Sequence, residues 1–224
     1  MRIAVVFPEL LGTYGDGGNA LALSWRARAR GLPVTVEEVS LDSPFPDADL
    51  YLLGGGEDGP QRLATDRLAA ASFRERVANG AGVVAVCAGF QIIGTQFSVE
   101  GDESYPGLGL IPAVTVRGTP RAVGDIALRV GSKFLVGFEN HGGRTSLGEG
   151  LEPLGQVVKG VGNDGRVDGA RAPRVWATYA HGPVLAQNPW WCDEILAEMY
   201  GHSLEPLASV ADRLYDARVA ALVS

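Results

Sequence analysis

Few residues in this chain can carry nucleophilic chemistry: it holds two cysteines, Cys87 and Cys192, and three histidines, His141, His181 and His202. Cys87 lies in Gly82-Val83-Val84-Ala85-Val86-Cys87-Ala88-Gly89-Phe90-Gln91, where an apolar run gives way to small residues. That pattern predicts a buried strand turning sharply into a helix, with Cys87 at the turn. Such a turn lifts a side chain above the carboxyl edge of a sheet, where open α/β folds keep their sites. The start of the following helix favours a thiolate, and the N–H of Ala88 points at any oxyanion formed on an attacked carbonyl. A lone cysteine on an apolar strand is more often structural; its place at the strand's very end favours the nucleophile here. A thiol also needs a base. His202 follows the helix stop Gly201 and reads as a solvated loop residue, while His141 sits in Phe138-Glu139-Asn140-His141-Gly142-Gly143-Arg144. His181 closes the run Val175 to Ala180 and precedes Gly182-Pro183, repeating the strand-end geometry of Cys87, so position favours it over His141. The triple glycine Gly54-Gly55-Gly56 ends another apolar run and exceeds what a simple turn needs. Its backbone N–H groups are candidates for a second oxyanion donor.

The elements that must hold these residues alternate in the first half of the chain. Strands are expected at Ile3 to Phe7, Val34 to Val39, Leu50 to Leu53 and Val83 to Val86. Helices are expected from Asn19 (as N-cap) to Arg30, from Gln61 to Ala78 and around Phe90 to Phe97. That order implies a parallel, doubly wound sheet. Short strands follow at Val114 to Val116, Ile126 to Val130, Phe134 to Phe138 and Leu154 to Val158, spaced for antiparallel pairing. A last strand spans Val175 to Tyr179, and helices run from Pro189 to Tyr200 and from Leu207 to Val223. The whole of 1–224 reads as a single domain of mixed α/β class. With 46% hydrophobic residues there is ample material for a core, which excludes disorder as the main state. A net charge of −7 opposes general binding to nucleic-acid backbones. Two cysteines cannot build a disulfide framework or a four-ligand zinc site. The N-terminal apolar stretch is too short for a secretory signal and no run reaches membrane-span length, so a cytoplasmic protein with reduced thiols is expected.

Gly54-Gly55-Gly56, Cys87-Ala88-Gly89-Phe90-Gln91 and the late strand-end His181 together resemble class I glutamine amidotransferase domains, which have a flavodoxin-like fold. Tyr14-Gly15-Asp16-x-Gly18-Asn19, Gly137 to Thr145, Gly162-Asn163 and Tyr179-x-His181-Gly182-Pro183 extend the resemblance over nearly the whole chain. They point to the cobyric-acid-synthase-like branch, and within it to the glutaminase subunits of lipid II isoglutaminyl synthases. The resemblance implies that Cys87 attacks the side-chain amide of L-glutamine and that His181 serves as its base. It implies oxyanion donors at the N–H groups of Ala88 and Gly55, an Arg121 that holds the substrate, and a Gln91 that lines its pocket. Arginine suits the α-carboxylate because its guanidinium can pair bidentately. Many family members carry a glutamate two residues after the histidine; here that place is Pro183. The orienting acid is then expected from a partner subunit, with Glu139, Asp193 and Glu194 as candidates within the chain. No ATP-binding loop is legible. No cofactor is therefore expected in this chain, whereas ATP and Mg are expected on a Mur-ligase-like catalytic subunit, paired with it as a heterodimer. That subunit would use the ammonia to amidate D-glutamate of the peptidoglycan stem peptide to D-isoglutamine.

Other readings compete with this one. Gly15-Asp16-Gly17-Gly18-Asn19-Ala20 formally fits a dinucleotide-binding fingerprint, but Pro8 to Tyr14 separate it from the first strand, where that fold allows almost no gap. A thiol hydrolase on the same scaffold would use the same elbow, and a silent binding subunit would need no acid. Cobyrinate amidation needs a fused ATP-using domain, for which the chain has no room.

Overall fold

The structure is a computed structural model that describes residues 1–99 and 103–223. In chain order the first elements are β1 (Arg2–Val6), α1 (Pro8–Leu11), α2 (Gly18–Arg28), β2 (Thr35–Val39), β3 (Leu50–Leu53), α3 (Asp58–Ala70), α4 (Phe73–Ala78), β4 (Gly82–Val86) and α5 (Ala88–Ile93). There follow β5 (Gln96–Ser98), β6 (Ser104–Pro106), β7 (Ala113–Val130), β8 (Lys133–Leu147), β9 (Gly155–Lys159), β10 (Val167–Asp168), β11 (Ala170–Ala172) and β12 (Val175–Thr178). Helices α6 (Val184–Gln187), α7 (Pro189–Tyr200) and α8 (Val210–Val223) close the chain. Among the described residues no helix is long and apolar enough to cross a membrane.

The first sheet has the order β11-β12-β4-β3-β1-β2, parallel throughout except for β11. Its inner strands β3, β4 and β12 are buried along their whole length, as continuous apolar runs covered on both faces must be. Register aligns Leu53 with Ala85 and Thr178 with Val86. The residues that follow these strands, the triple glycine, Cys87 and His181, therefore emerge side by side at one edge. The second sheet, β10-β9-β7-β5-β6 with β8 on β7, is mostly antiparallel. It reaches the first where Phe138 of β8 exchanges backbone hydrogen bonds of 2.7 and 3.1 Å with His181.

Several local expectations change. The helix expected over Gln61 to Ala78 breaks at Ser72, which takes a left-handed φ of 53°; the break turns Phe73 inwards, edge-on to Tyr51 at 5.0 Å. The helix expected to Phe97 stops at Ile93, because Gly94 is extended and Gln96–Ser98 pairs with β6 and β7. The short strands around Val114, Ile126 and Phe134 merge into the long β7–β8 hairpin, whose register shifts between Arg117 and Ala122. Helix α2 starts from Gly17 rather than from an Asn19 cap; the Asn19 side chain instead accepts the N–H of Leu185 at 2.9 Å. The last helix begins at Val210, not at Leu207.

Candidate active site

Cys87 occupies the turn between β4 and α5 with φ 52° and ψ −104°, a left-side conformation that costs a non-glycine residue energy and recurs at functional turns. Its N–H donates to Thr178 O at 2.9 Å and its carbonyl accepts from Gln91 N–H, so the elbow is tied to both neighbours. Gly89 is glycine because a Cβ there would lie 2.5 Å from Leu53 O: the elbow helix rests directly on β3. Ala88 is the first residue of α5, so its N–H has no intrahelical acceptor.

His181 is 1% exposed. Its Nδ1 lies 3.1 Å from Asp16 Oδ2, and the Tyr14 ring leans over it with centroids 4.5 Å apart. Nε2 is buried and, among the described residues, has no hydrogen-bond partner of good geometry. Burial weakens the imidazole's hold on a proton, but the hydrogen bond to Asp16 and the adjacent Cys87 sulfur outweigh it, and its pKa is pushed up to about 10. His181 is thus the histidine that adjoins Cys87, and it holds a proton tightly.

His141 is bound elsewhere. Nδ1 lies 3.0 Å from Gly143 O and Nε2 3.1 Å from Glu139 Oε2, with the ring stacked on Tyr179 at 3.8 Å. Burial pushes the Glu139 carboxyl up, yet His141 and the N–H groups of Val161 and Gly162 outweigh this and hold it below the usual range. Tyr179 passes the network on through Thr145 and Gln91, and Gln91 accepts from Gln61 at 2.9 Å. Of this frame, Gln61, Gln91 and His141 line a cavity of about 50 Å³ at Cys87, together with Gly56, Glu57, Arg117, Arg121 and Asn140. Arg121 donates to Asn140 from Nε at 2.6 Å and from Nη2 to its carbonyl at 3.1 Å.

A family model described as a CobB/CobQ-like glutamine amidotransferase domain matches residues 2–189. The chain belongs to the CobB/CobQ-like glutamine amidotransferase family. It is 37% identical over 197 residues to the GatD subunit of lipid II isoglutaminyl synthase (glutamine-hydrolyzing) from Streptococcus pneumoniae, covering 84% of this chain and 76% of that one. The corresponding Staphylococcus aureus subunit is 34% identical, with 88% and 85% covered. A cobyric acid synthase from Pelotomaculum thermopropionicum is 33% identical, but there the chain spans only 37% of the relative. A crystal structure of a glutamine amidotransferase superposes with TM-score 0.64 at 21% identity, covering 88% of this chain and 98% of that one, which identifies a common flavodoxin-like fold.

Within this CobB/CobQ-like domain, Cys87, Ala88, Gln91 and Arg121 line one cavity, and His181 adjoins Cys87. The place expected for Gly55 changes. Its N–H donates to Asp16 Oδ2 at 2.8 Å and so is turned to the acid, not to an oxyanion; Gly56 is the loop residue on the cavity wall. The three acids named within the chain lie elsewhere. Glu139 holds His141, Asp193 is clasped by Arg26 and Arg30 at 2.6 to 2.8 Å, and Glu194 is exposed, in the fields of Arg171 and Lys133. Asp16 is the acid that meets His181, and sequence reasoning missed it. The available signal was its place in the Tyr14 to Asn19 block, taken from the sequence only as part of the family resemblance and as a rejected dinucleotide fingerprint.

Proposed function

We propose that this chain is the glutamine-hydrolysing subunit of a lipid II isoglutaminyl synthase. The observation that carries the reading is the joining, at one cavity, of an elbow cysteine with a hydrogen-bonded histidine base beneath an arginine able to hold a carboxylate. The relatives named as such subunits supply the substrate class.

Arg121 binds the α-carboxylate of L-glutamine, and Glu57 across the cavity faces its α-ammonium. Cys87 gives its proton to His181 Nε2, and its sulfur attacks the amide carbon. The carbonyl electron pair moves to oxygen, where the N–H groups of Ala88 and Gly56 receive it. Collapse of the tetrahedral adduct breaks the C–N bond as His181 returns the proton to nitrogen, releasing ammonia and leaving a γ-glutamyl thioester. His181 then takes a proton from water, whose oxygen attacks the thioester. Glutamate departs and the Cys87 thiol re-forms. Ammonia passes to an ATP-dependent, Mur-ligase-like partner in a cytoplasmic heterodimer, which activates the D-glutamate carboxylate and forms D-isoglutamine. Gln91, held by Gln61 and Tyr179, shapes the pocket floor.

The test is release of ammonia and glutamate from L-glutamine by the chain alone and by the co-expressed complex. Cys87→Ala should abolish release in both and leave complex formation intact. Undiminished release by that variant refutes the assignment.

A further inference from the structure

We propose that this chain pairs with a second copy of itself through the outer face of α8 and the neighbouring α2, a surface separate from the cavity at Cys87.

Helix α8 is fastened along one side. Tyr215 Oη donates to Phe134 O at 2.8 Å, and Arg218 reaches Asp125 at 3.3 Å. The segment before the helix is held by the buried Arg26, which donates to Leu207 O at 3.2 Å and to Ser209 Oγ at 3.4 Å. Yet no residue of α8 is buried. At about 3.6 residues per turn, Val210, Leu214, Ala217 and Ala221 fall within about 60° of one another, and all four are exposed. Val210 and Leu214 are 61% and 63% exposed; on α2, Leu21 and Trp25, one turn apart, are 70% and 52% exposed. Trp25 shares an apolar groove with Ala208, Val210 and Ala211, so the two helices form one face. Large apolar side chains left together in water mark a surface that another protein covers.

The stripe on α8 is complementary to itself. About a two-fold axis crossing the helix between Leu214 and Ala217, an antiparallel second α8 sets Leu214 against Ala217 and Val210 against Ala221, large against small at each level. On one flank of the stripe, Arg213 then stands within about 3 Å, measured along the axis, of Asp216 of the second copy. Symmetry makes that pair twice. Both residues are exposed, and neither makes a hydrogen bond or ion pair among the described residues. The chain's net charge of −7 drives copies apart in general. Along α8, however, Asp212 and Asp216 are balanced by Arg213 and Arg218, so this face meets itself without net repulsion. An ammonia-using subunit has a different place to dock. It must receive ammonia from the cavity at Cys87, and among the described residues none that lines that cavity lines the α2–α8 groove. Both contacts can form together, giving a pair of heterodimers.

Sedimentation velocity of the full chain, alone and co-expressed with its catalytic partner, tests the proposal. Two helix faces make a small interface, so reversible dimerisation in roughly the micromolar range is expected, and the complex should run as a pair of heterodimers. Leu214→Asp should abolish the dimer while ammonia release stays as in wild type, because this side chain already stands in water. Arg213→Asp and Asp216→Arg should each weaken dimerisation about 10-fold or more, since each sets like charges face to face twice. Combining the two reversals should return the affinity to within about threefold of wild type. A wild-type chain still monomeric at about 200 μM, well above the expected range, overturns the proposal, and so does failure of the combined reversals to restore the dimer. A complex that stays one-to-one, or one that Leu214→Asp takes apart, shows that the catalytic partner covers this face and that a second copy is the wrong occupant.

Discussion

Gly55→Ala separates room for the base from stability of the fold. Gly55 is not among the glycines with positive φ, so alanine can adopt its backbone. Its Cβ would stand 2.6 Å from His181 Cε1 and 3.0 Å from Tyr14 Cδ2. Ordinary contact begins near 3.4 Å, so the imidazole must retreat by about 0.8 Å. Such a retreat lengthens the 3.1 Å contact with Asp16 or tilts Nε2 off Cys87. A displacement of about 1 Å in a catalytic group can cost about 10²-fold in rate, whereas overpacking one methyl costs about 1–3 kcal/mol of stability. The expected variant therefore folds, with a lowered urea midpoint, and releases ammonia about 10²-fold more slowly. Two controls bracket it. Gly17→Ala meets nothing within 4 Å and should be near neutral, while Gly54→Ala places Cβ 2.1 Å from Leu11 O and should damage the fold itself. Ammonia release by Gly55→Ala within threefold of wild type would refute the claim that the glycine serves as clearance for the base.

Other substitutions test the division of labour around the cavity. His181→Ala should cost about 10²- to 10⁴-fold in kcat by deleting the base, while His141→Ala strands the buried Glu139 carboxylate and should appear chiefly as about 3–5 kcal/mol of lost stability in denaturant melts. Asp168, fully buried beneath Thr178 and Tyr179, has its carboxyl pushed by burial up to about 6, against 3.8 in the open. The folded chain thus binds more protons between those values, and this group's contribution to stability rises as pH falls through 6. Wild type should gain about 1 kcal/mol relative to Asp168→Asn between pH 7 and pH 5, read from urea midpoints; an unchanged difference would contradict the assigned burial.

The parts of the site that were legible share one physical property. Leu50–Leu53, Gly82–Val86 and Val175–Thr178 are apolar without alternation, which only strands buried on both faces require. Where such runs stop at Gly54, Cys87 and near His181, the carboxyl edge of a parallel sheet can be read directly. Asp16 obeys no such rule. It stands in a glycine-rich turn 165 residues from its partner, and only the strand order brings the two together. The direction of the Gly55 N–H was equally hidden, because a peptide plane's orientation follows from what accepts its hydrogen. The Glu139–His141 pair was accessible in principle: two residues apart on a strand they share one face. The helix break at Ser72 follows from the demand of Phe73 for the core, a tertiary contact that local propensity does not encode.

Beyond the reacting groups, the site must also admit glutamine. The cavity of about 50 Å³ over Cys87 falls well short of the about 300 Å³ of a small-molecule site. Its outer wall is the Arg121–Asn140 pair, on the stretch where the β7–β8 pairing shifts register between Arg117 and Ala122. In the proposed mechanism glutamine takes Arg121 from Asn140, replacing an amide oxygen at 2.6 Å with its own carboxylate. Arg121→Ala removes the receiving charge, and hydrogen bonds to charged groups are worth about 1.5–3 kcal/mol, so KM should rise roughly 10- to 100-fold with kcat nearly unchanged. Asn140→Ala removes only the competitor. Because Arg121 is exposed and the Asn140 carbonyl still accepts from Nη2, the gain is a fraction of one such bond, and KM should fall by up to about fivefold. If Asn140→Ala instead raises KM as Arg121→Ala does, Asn140 holds the substrate and the closed wall is part of the binding site rather than its gate.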